Sequence, residues 1–191
     1  MTNFKLTRRA VLKGTASTIA MSAAQGCAQT ARIAGFNLTD DHDIRLGMYG
    51  ALIGKEGLSE VEGAFHNADI LEMHQTTSLA ANDDETAWCS SAVNWAAKAA
   101  GTEGTNSAAA RSWLEWKNGR TVSLEMALRG DVVIFWRGSR YSWKGHVALY
   151  HGPASNQNEV LVLGGNQDNA LNISAYPKSR LLGVRRATRD E

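Results

Sequence analysis

The chain has 191 residues, 43% of them hydrophobic and 20% charged, which predicts one well-buried domain or at most two. Its formal net charge of +1 is unevenly distributed, because the first 30 residues carry four basic side chains and no acid. The remainder has 16 basic and 19 acidic residues, so it lacks the clustered Lys and Arg that nucleic-acid binding requires. We therefore exclude nucleic acid as a partner.

The N-terminal segment has the layout of an export signal. A basic start that includes Arg8 and Arg9 is followed by an uncharged stretch, over residues 14–30, with small residues near its end. This stretch is too polar and too short to form a membrane span, and "TRRAVLK" resembles the twin-arginine export motif. We predict an export signal over 1–30, a single domain over 31–191, and a location in the periplasm or cell envelope.

The two cysteines, Cys27 and Cys89, have different predicted fates. Gly26 before Cys27 fits a lipobox whereas Ala24 and Gln25 do not, so lipidation of Cys27 and its removal with the signal both stay open. Either way Cys27 is a poor disulfide partner for Cys89, which we expect to remain a free thiol. A free thiol in an oxidising compartment is an oxidation liability, which favours a chemical role for it.

The first part of the mature chain predicts four helices from its hydrophobic periodicity. The first helix places Leu46, Tyr49 and Ile53 on one face, and the second begins with Asn67 as a cap. In the third, Cys89 begins a stripe of small residues at helical spacing, which allows another element to pack very close. The four helices are expected over residues 45–53, 67–75, 89–100 and 107–116.

The second part of the chain predicts β-strands, because short β-rich runs are separated by Gly, Ser and Asn turns. Helices followed by a meander of strands predict an α+β fold, with the helices packed on one face of a roughly five-stranded antiparallel sheet. The runs are "DVVIFWRG", "GHVALYHG", "NEVLVLGG", "NALNISAY" and "RLLGVRRA", starting at residues 131, 145, 158, 169 and 180.

Cys89 is expected in the first turn of its helix, with the acids and hydroxyl of "DDETAWC" as candidate caps. There the helix dipole lowers a thiol pKa, and the free backbone N–H groups can stabilise a tetrahedral oxyanion. The alternative is that Cys89 is a small buried residue at the contact between helix and sheet. This segment alone leaves both interpretations open.

His146 is the histidine best placed to act as a base. His151 lies five residues further on the same predicted strand and therefore on the opposite face, so the two cannot bind one metal. No other set of side chains has zinc-ligand spacing, and we predict no metal site. The small Ala148 on the face of His146 is expected to leave room for the helix of Cys89. Three residues after the next strand are candidates to orient the histidine ring: Asn166, Gln167 and Asp168.

The motifs "DETAWCSSAVNW", "GDVVIFWRG", "GHVALYHG" and "VLGGNQ" occur in an order that resembles the CHAP amidases and the related NlpC-type peptidases of the papain-like clan. The resemblance extends over residues 45–187 and is closest to small bacterial and prophage CHAP-like proteins. It implies a papain-like fold in which Cys89 is the nucleophile, His146 the base and acid, and Asn166 the orienting residue, with no cofactor. The sequence departs from the pattern at Ala87, where Pro is common, and at Gly164, where many CHAP enzymes have Glu.

Together with the export signal, the resemblance implies an exported cysteine hydrolase that cleaves amide bonds in peptidoglycan through a thioester acyl-enzyme. The bond is either the N-acetylmuramoyl-L-alanine amide or one within the stem or cross-bridge peptide. Trp88, Arg111, Trp113 and Gln167 are expected to contact peptidoglycan or its stem peptides, although Trp113 as a core residue and Arg111 as a solvated charge fit equally well. Two other functions stay open: a papain-like enzyme acting on a non-wall amide as a secreted effector, and a non-catalytic wall-binding module.

Overall fold

The structure, a computed structural model, describes residues 41–188, so the predicted export signal and Cys27 lie outside the described residues. Three α-helices are present in this part of the chain, and the first three predicted helices are confirmed. They are α1 (Asp41–Ile53), α2 (Ala68–His74) and α3 (Cys89–Ala99). Short 3-10 helices cover Ala110–Glu115, Leu124–Met126 and Lys178–Arg180.

The strands of this region form one six-stranded antiparallel sheet in the order β1-β6-β2-β3-β4-β5. All five predicted strands are confirmed, and so is the predicted α+β class. The additional strand, β1, has only four residues at a sheet edge and carries no alternating apolar pattern. The strands are β1 (Gly119–Val122), β2 (Val132–Trp136), β3 (Gly145–Pro153), β4 (Glu159–Gln167), β5 (Ala170–Pro177) and β6 (Leu181–Ala187).

The two faces of the sheet belong to different apolar clusters. The helices pack on the face that carries Val147 and Leu149, where they build the larger core. Ala148 and Tyr150 lie on the other face, in a smaller cluster that contains no helix residue of α1 to α3. This division follows from the alternation of side chains along a strand.

Helix α1 buries a different stripe from the predicted one. Met48 and Leu52 are fully buried, whereas Leu46 is 40% exposed and Tyr49 and Ile53 are only partly buried. The buried face of α1 is therefore turned about the helix axis from the predicted face, which carried Leu46, Tyr49 and Ile53. Position 46 belongs to the solvent side of the helix because the contact with α3 and the sheet centres on residues 48 and 52.

The predicted helix over 107–116 is a shorter 3-10 helix that starts at Ala110. The carbonyl oxygen of Ser107 accepts hydrogen bonds from Ser90 Oγ at 2.6 Å and from Asn94 Nδ2 at 3.2 Å. These bonds from α3 hold Ser107 outside a helix, and Asn106 has a positive φ of 52°. Tertiary hydrogen bonds thus override the local helical pattern.

A buried ion pair joins α1 to the sheet. The Asp131 carboxylate before β2 is fully buried and accepts two hydrogen bonds from the guanidinium of Arg186 on β6, at 2.7 and 3.0 Å. The Arg45 guanidinium of α1 lies 3.9 Å from the same carboxylate. A buried carboxylate needs such partners to offset its lost hydration.

Among the helices of residues 41–188, none has both the length and the apolar character of a membrane span.

Candidate active site

Cys89 is the first residue of α3, as the sequence predicts, and its side chain is almost completely buried. The N-cap residue, Trp88, makes no capping hydrogen bond with its side chain. The acids upstream do not cap the helix as expected: Asp83 accepts from the Thr86 amide, and Asp84 accepts from the amides of Val61 and Asn67. The start of α3 therefore carries backbone N–H groups without a side-chain cap.

Helix α3 packs tightly against the sheet at Gly165 of β4. A Cβ atom at this position would lie 2.3 Å from the Trp88 ring and 3.0 Å from the Ala92 Cβ. The prediction that Ala148 makes room for this helix is wrong, because Ala148 lies on the opposite sheet face, next to Gly164. The absence of a side chain at Gly165 is what brings the first turn of α3 against the strands.

Burial raises the pKa of the Cys89 thiol. This effect is opposed by a hydrogen bond from the backbone amide of Val147, by the positive charge of Arg137 and by the amides of Ser90 and Cys89 itself. The Val147 contact places the sulfur beside β3, one residue along the strand from His146. This contact lies at the start of β3, before the part of the strand that pairs with β4, because the paired residues of these two strands begin at Leu149.

His146 is fully buried, and its two ring nitrogens have different surroundings. Nε2 lies 3.0 Å from the Gln167 side-chain oxygen, whereas Nδ1 is buried without a hydrogen-bond partner in the described part of the chain. Burial, and secondarily the charge of Arg137, lowers the pKa of His146 to about 3. The imidazole is therefore neutral at physiological pH.

Gln167 determines the tautomer of this neutral ring. Its amide nitrogen donates to the main-chain oxygen of Asn172 at 2.7 Å and to the Asn172 side-chain oxygen at 3.0 Å. The Gln167 oxygen is thereby turned toward His146 and can only accept a hydrogen bond, so Nε2 carries the proton. Nδ1 is then left with a free lone pair, as a general base requires.

The sequence prediction that Asn166 orients His146 is contradicted by this geometry. Asn166 donates instead to Glu60 Oε1 at 2.6 Å. In a regular strand Asn166 would share the face of Gly164, but the register between β4 and β5 shifts by one residue between Gly164 and Gln167. Asn166 has a positive φ of 56° at this bulge. The extra residue moves Gln167 onto the face of His146.

The predicted substrate contacts are mostly structural. Trp88 and Trp113 are fully buried, and their indole N–H groups donate to Glu60 Oε1 at 2.8 Å and to Ser90 Oγ at 2.9 Å. The prediction that these two side chains contact the substrate is therefore contradicted by their burial, and for Trp113 the core alternative is the one observed. Arg111 donates to two backbone oxygens of the loop between β2 and β3, those of Lys144 and Arg140.

Two residues near His146 were missed by the sequence analysis. The Tyr176 ring of β5 stacks on the His146 ring, with centroids 4.7 Å apart and an interplanar angle of 6°. Arg137, directly after β2, acts on the charges of Cys89, His146 and Tyr176. No local pattern predicts these contacts, because β4 separates β5 from β3 in the sheet order.

His66, His74 and His151 do not join this cluster. His151 Nδ1 lies 2.6 Å from the Tyr49 hydroxyl of α1, on the helix side of the sheet. His66 pairs with the Asp84 carboxylate at 3.0 Å, and His74 with Ser91 Oγ at 3.0 Å. In the region 41–188 no group of three or more His, Cys, Asp or Glu side chains could hold a metal ion.

No family model and no curated protein matches the sequence. Several solved structures are similar in fold at low sequence identity. A protein from Staphylococcus aureus described as similar to lipoprotein, NLP/P60 family, has a TM-score of 0.48 and 18% identity over 78% of this chain and 42% of its own. The peptidoglycan hydrolase RipB from Mycobacterium tuberculosis has a TM-score of 0.47 and 17% identity over 78% of this chain and 65% of its own.

The P60 domain of an antigen from M. avium subspecies paratuberculosis has a TM-score of 0.46 and 13% identity, over 79% of this chain and 98% of that domain. The chain thus spans less than two thirds of the first two of these proteins.

Proposed function

We propose that this chain is an exported cysteine hydrolase of the NlpC and CHAP type that cleaves amide bonds in peptidoglycan. Cys89 is the nucleophile, His146 the general base and acid, and Gln167 the residue that positions His146. The observation that carries the proposal is the state of His146. Its Nε2 is held by Gln167, its Nδ1 is buried without a partner among residues 41–188, and the next residue on β3, Val147, contacts the Cys89 sulfur. His74 also has one buried nitrogen without a partner, but its other nitrogen pairs with Ser91 and it does not lie on the strand that contacts the Cys89 sulfur.

In the acylation step, His146 Nδ1 takes the thiol proton as the Cys89 sulfur attacks the carbonyl carbon of the amide. The uncapped N–H groups at the start of α3 stabilise the oxyanion of the tetrahedral intermediate. His146 then returns the proton to the leaving amine, the carbon–nitrogen bond breaks, and a thioester remains on Cys89.

In the deacylation step, His146 removes a proton from water, which attacks the thioester carbonyl carbon. The carbon–sulfur bond breaks, the carboxylic acid product leaves, and the proton returns to the Cys89 sulfur. A neutral imidazole beside a neutral thiol suits this cycle, since burial disfavours both charged forms in the resting site.

Peptidoglycan is favoured as the substrate by two features of the sequence. The start resembles a twin-arginine export signal, and the motif order resembles the CHAP and NlpC-type proteins. A secreted effector delivered by a contact-dependent machine would not need its own export signal. Cleavage at the muramoyl-alanine amide and cleavage within the stem or cross-bridge peptide remain the two forms of the proposal.

The test is mass spectrometry of muropeptides released from purified sacculi by the full chain under reducing conditions, beside a Cys89→Ala variant. Free stem peptides that depend on Cys89 identify an amidase, and shortened stems or opened cross-links an endopeptidase. A folded protein with an alkylatable thiol but no Cys89-dependent product would overturn peptidoglycan as the substrate. A Cys89→Ala protein that kept the full biological effect would support a non-catalytic wall-binding module instead.

A further inference from the structure

A cavity of about 400 Å³ adjoins His146 on the side of the sheet away from the helices. It shares two residues with the proposed site: Gln167, which holds His146 Nε2, and Tyr176, which stacks on the His146 ring. We call it the Arg137 cavity, and its lining includes Trp136, Arg137, Gln167, Asp168, Tyr176 and Arg180. A molecule bound in it is held against residues that contact the general base.

The charges of this lining favour an anion. Two guanidinium groups, of Arg137 and Arg180, face a single acid, Asp168, whose side chain is exposed to solvent. Arg180 is partly engaged by the Trp136 ring, with its guanidinium carbon 5.3 Å from the ring centroid. Within residues 41–188 neither arginine forms an ion pair with an acidic side chain, and the Arg137 side chain hydrogen-bonds that of Tyr176.

We propose that the Arg137 cavity is a carboxylate-binding subsite, and that Arg137 selects amide substrates that carry a free carboxylate near the scissile bond. The proposal rests on the proposed function, since Cys89 must be the nucleophile that the bound substrate reaches. A planar guanidinium beside the site binds a carboxylate through two parallel hydrogen bonds, which a lysine cannot reproduce.

The position of Arg137 relative to the reactive groups supports this assignment. Arg137 follows Trp136, whose partner on β3 is Gly145, the residue before His146. Its positive charge acts to lower the pKa of both Cys89 and His146. It also lies against the Tyr176 hydroxyl. A substrate carboxylate would compete with Tyr176 for this guanidinium and would neutralise the cation next to His146. Removal of that positive charge makes proton uptake by His146 Nδ1 easier.

The test is the alkylation of Cys89 by a matched pair of probes, bromoacetyl-alanine and bromoacetyl-alaninamide, which differ only in the carboxylate. In the wild-type full chain we expect the carboxylate probe to react about tenfold faster, relative to the same ratio with free glutathione, because charge-assisted hydrogen bonds are the stronger kind. Arg137→Gln should reduce this preference to the glutathione ratio. Arg140→Gln, which removes a charge from the same loop outside the cavity, should leave it unchanged.

The ratio of the two probes cancels any change in the thiolate population that the loss of Arg137 causes. Arg137→Lys keeps the positive charge but loses the planar guanidinium that forms two parallel hydrogen bonds. We expect its ratio of alkylation rates for the two probes to lie between those of the wild type and Arg137→Gln. Acetyl-alanine should protect wild-type Cys89 from iodoacetamide better than acetyl-alaninamide does, a measurement that needs no variant.

Equal ratios in the wild type and Arg137→Gln, with no selective protection, would overturn the subsite. This result can be read even if sacculi are not digested, since the probes test the cavity and not the wall substrate. Failure of every probe to alkylate Cys89 in the folded protein would overturn the nucleophile assignment and the subsite together.

Discussion

In the proposed mechanism, Gln167 acts through His146, because its oxygen holds Nε2 while Nδ1 has no partner among residues 41–188. We expect Gln167→Ala to lower kcat by about 10²- to 10⁴-fold, the range that general acid–base catalysis contributes, with little change in KM. Steady-state kinetics on a muropeptide substrate would measure this.

The matched control is Asn166→Gly, which removes the neighbouring amide but tolerates the positive φ at that position. It should keep most of the activity. Gln167→Glu should have a higher kcat than Gln167→Ala, because a carboxylate also accepts a hydrogen bond from His146 Nε2. A larger loss of kcat in Asn166→Gly than in Gln167→Ala would show that Asn166, and not Gln167, positions His146.

The pH dependence of Cys89 alkylation tests the neutral resting pair. Since burial raises the pKa of Cys89 and lowers that of His146, the thiol should stay protonated at neutral pH. The alkylation rate with iodoacetamide should therefore rise with pH through and beyond the ordinary range of a cysteine thiol. A plateau of rate already present at acidic pH would indicate a thiolate–imidazolium pair and contradict this prediction.

At the scale of elements, the contact between α3 and β4 depends on Gly165. A methyl group there would overlap the Trp88 ring at 2.3 Å, and both neighbours are buried. We expect Gly165→Ala to destabilise the protein by about 1–3 kcal/mol, the usual effect of overpacking a core, and to displace the first turn of α3 with Cys89. Urea unfolding gives the free energy, and the Cys89 alkylation rate reports the displacement.

Gly152 supplies the control for this prediction. It lies on β3, and a Cβ there would meet no atom within 4 Å. Gly152→Ala should change neither the stability nor the thiol reactivity appreciably. If the two variants were equally stable, the close approach of α3 to β4 would not be a requirement of the fold.

At the scale of the whole molecule, buried histidines predict loss of stability in acid. The pKa of His146 is about 3 in the folded protein, while an unfolded chain has a histidine pKa of about 6.5. Unfolding therefore takes up a proton between these values, so the free energy of unfolding falls as the pH drops through that window, by up to about 1.4 kcal/mol per pH unit for one proton. Burial lowers the pKa of His74 too, in the same direction.

Asp84 adds to the acid sensitivity at lower pH. Burial alone would raise its pKa, but the amides of Asn67 and Val61 and the His66 ring hold it at about 2. Its stabilisation is present above the unfolded value near 4 and is lost as the pH falls toward 2.

Urea unfolding of the wild type and His146→Asn between pH 4 and 7 measures the histidine contribution. The free energy of unfolding should fall less steeply with decreasing pH in the variant, by up to about 1.4 kcal/mol per pH unit, which corresponds to the uptake of one proton. Parallel slopes would mean that His146 is not buried in its neutral form.

The sequence by itself determined the α+β class, five of the six strands and the position of Cys89 at a helix start, and it led to the proposal of His146 as the base. Each of these follows from a local pattern, such as the period of apolar residues or the turns between β-rich runs. The four-residue edge strand β1 and the 3-10 form of residues 110–115 lack such a pattern, because pairing with β6 and hydrogen bonds from α3 decide them.

Only the tertiary structure decided which residues surround His146. A single extra residue in β4 places Gln167, and not Asn166, beside His146. Strict alternation of side chains along a strand does not predict such a bulge. Tyr176 and Arg137 come from β5 and the end of β2, so they meet His146 through the strand order alone. Local sequence encodes period and propensity, whereas a catalytic contact depends on register, and register is determined by the packing of the whole sheet.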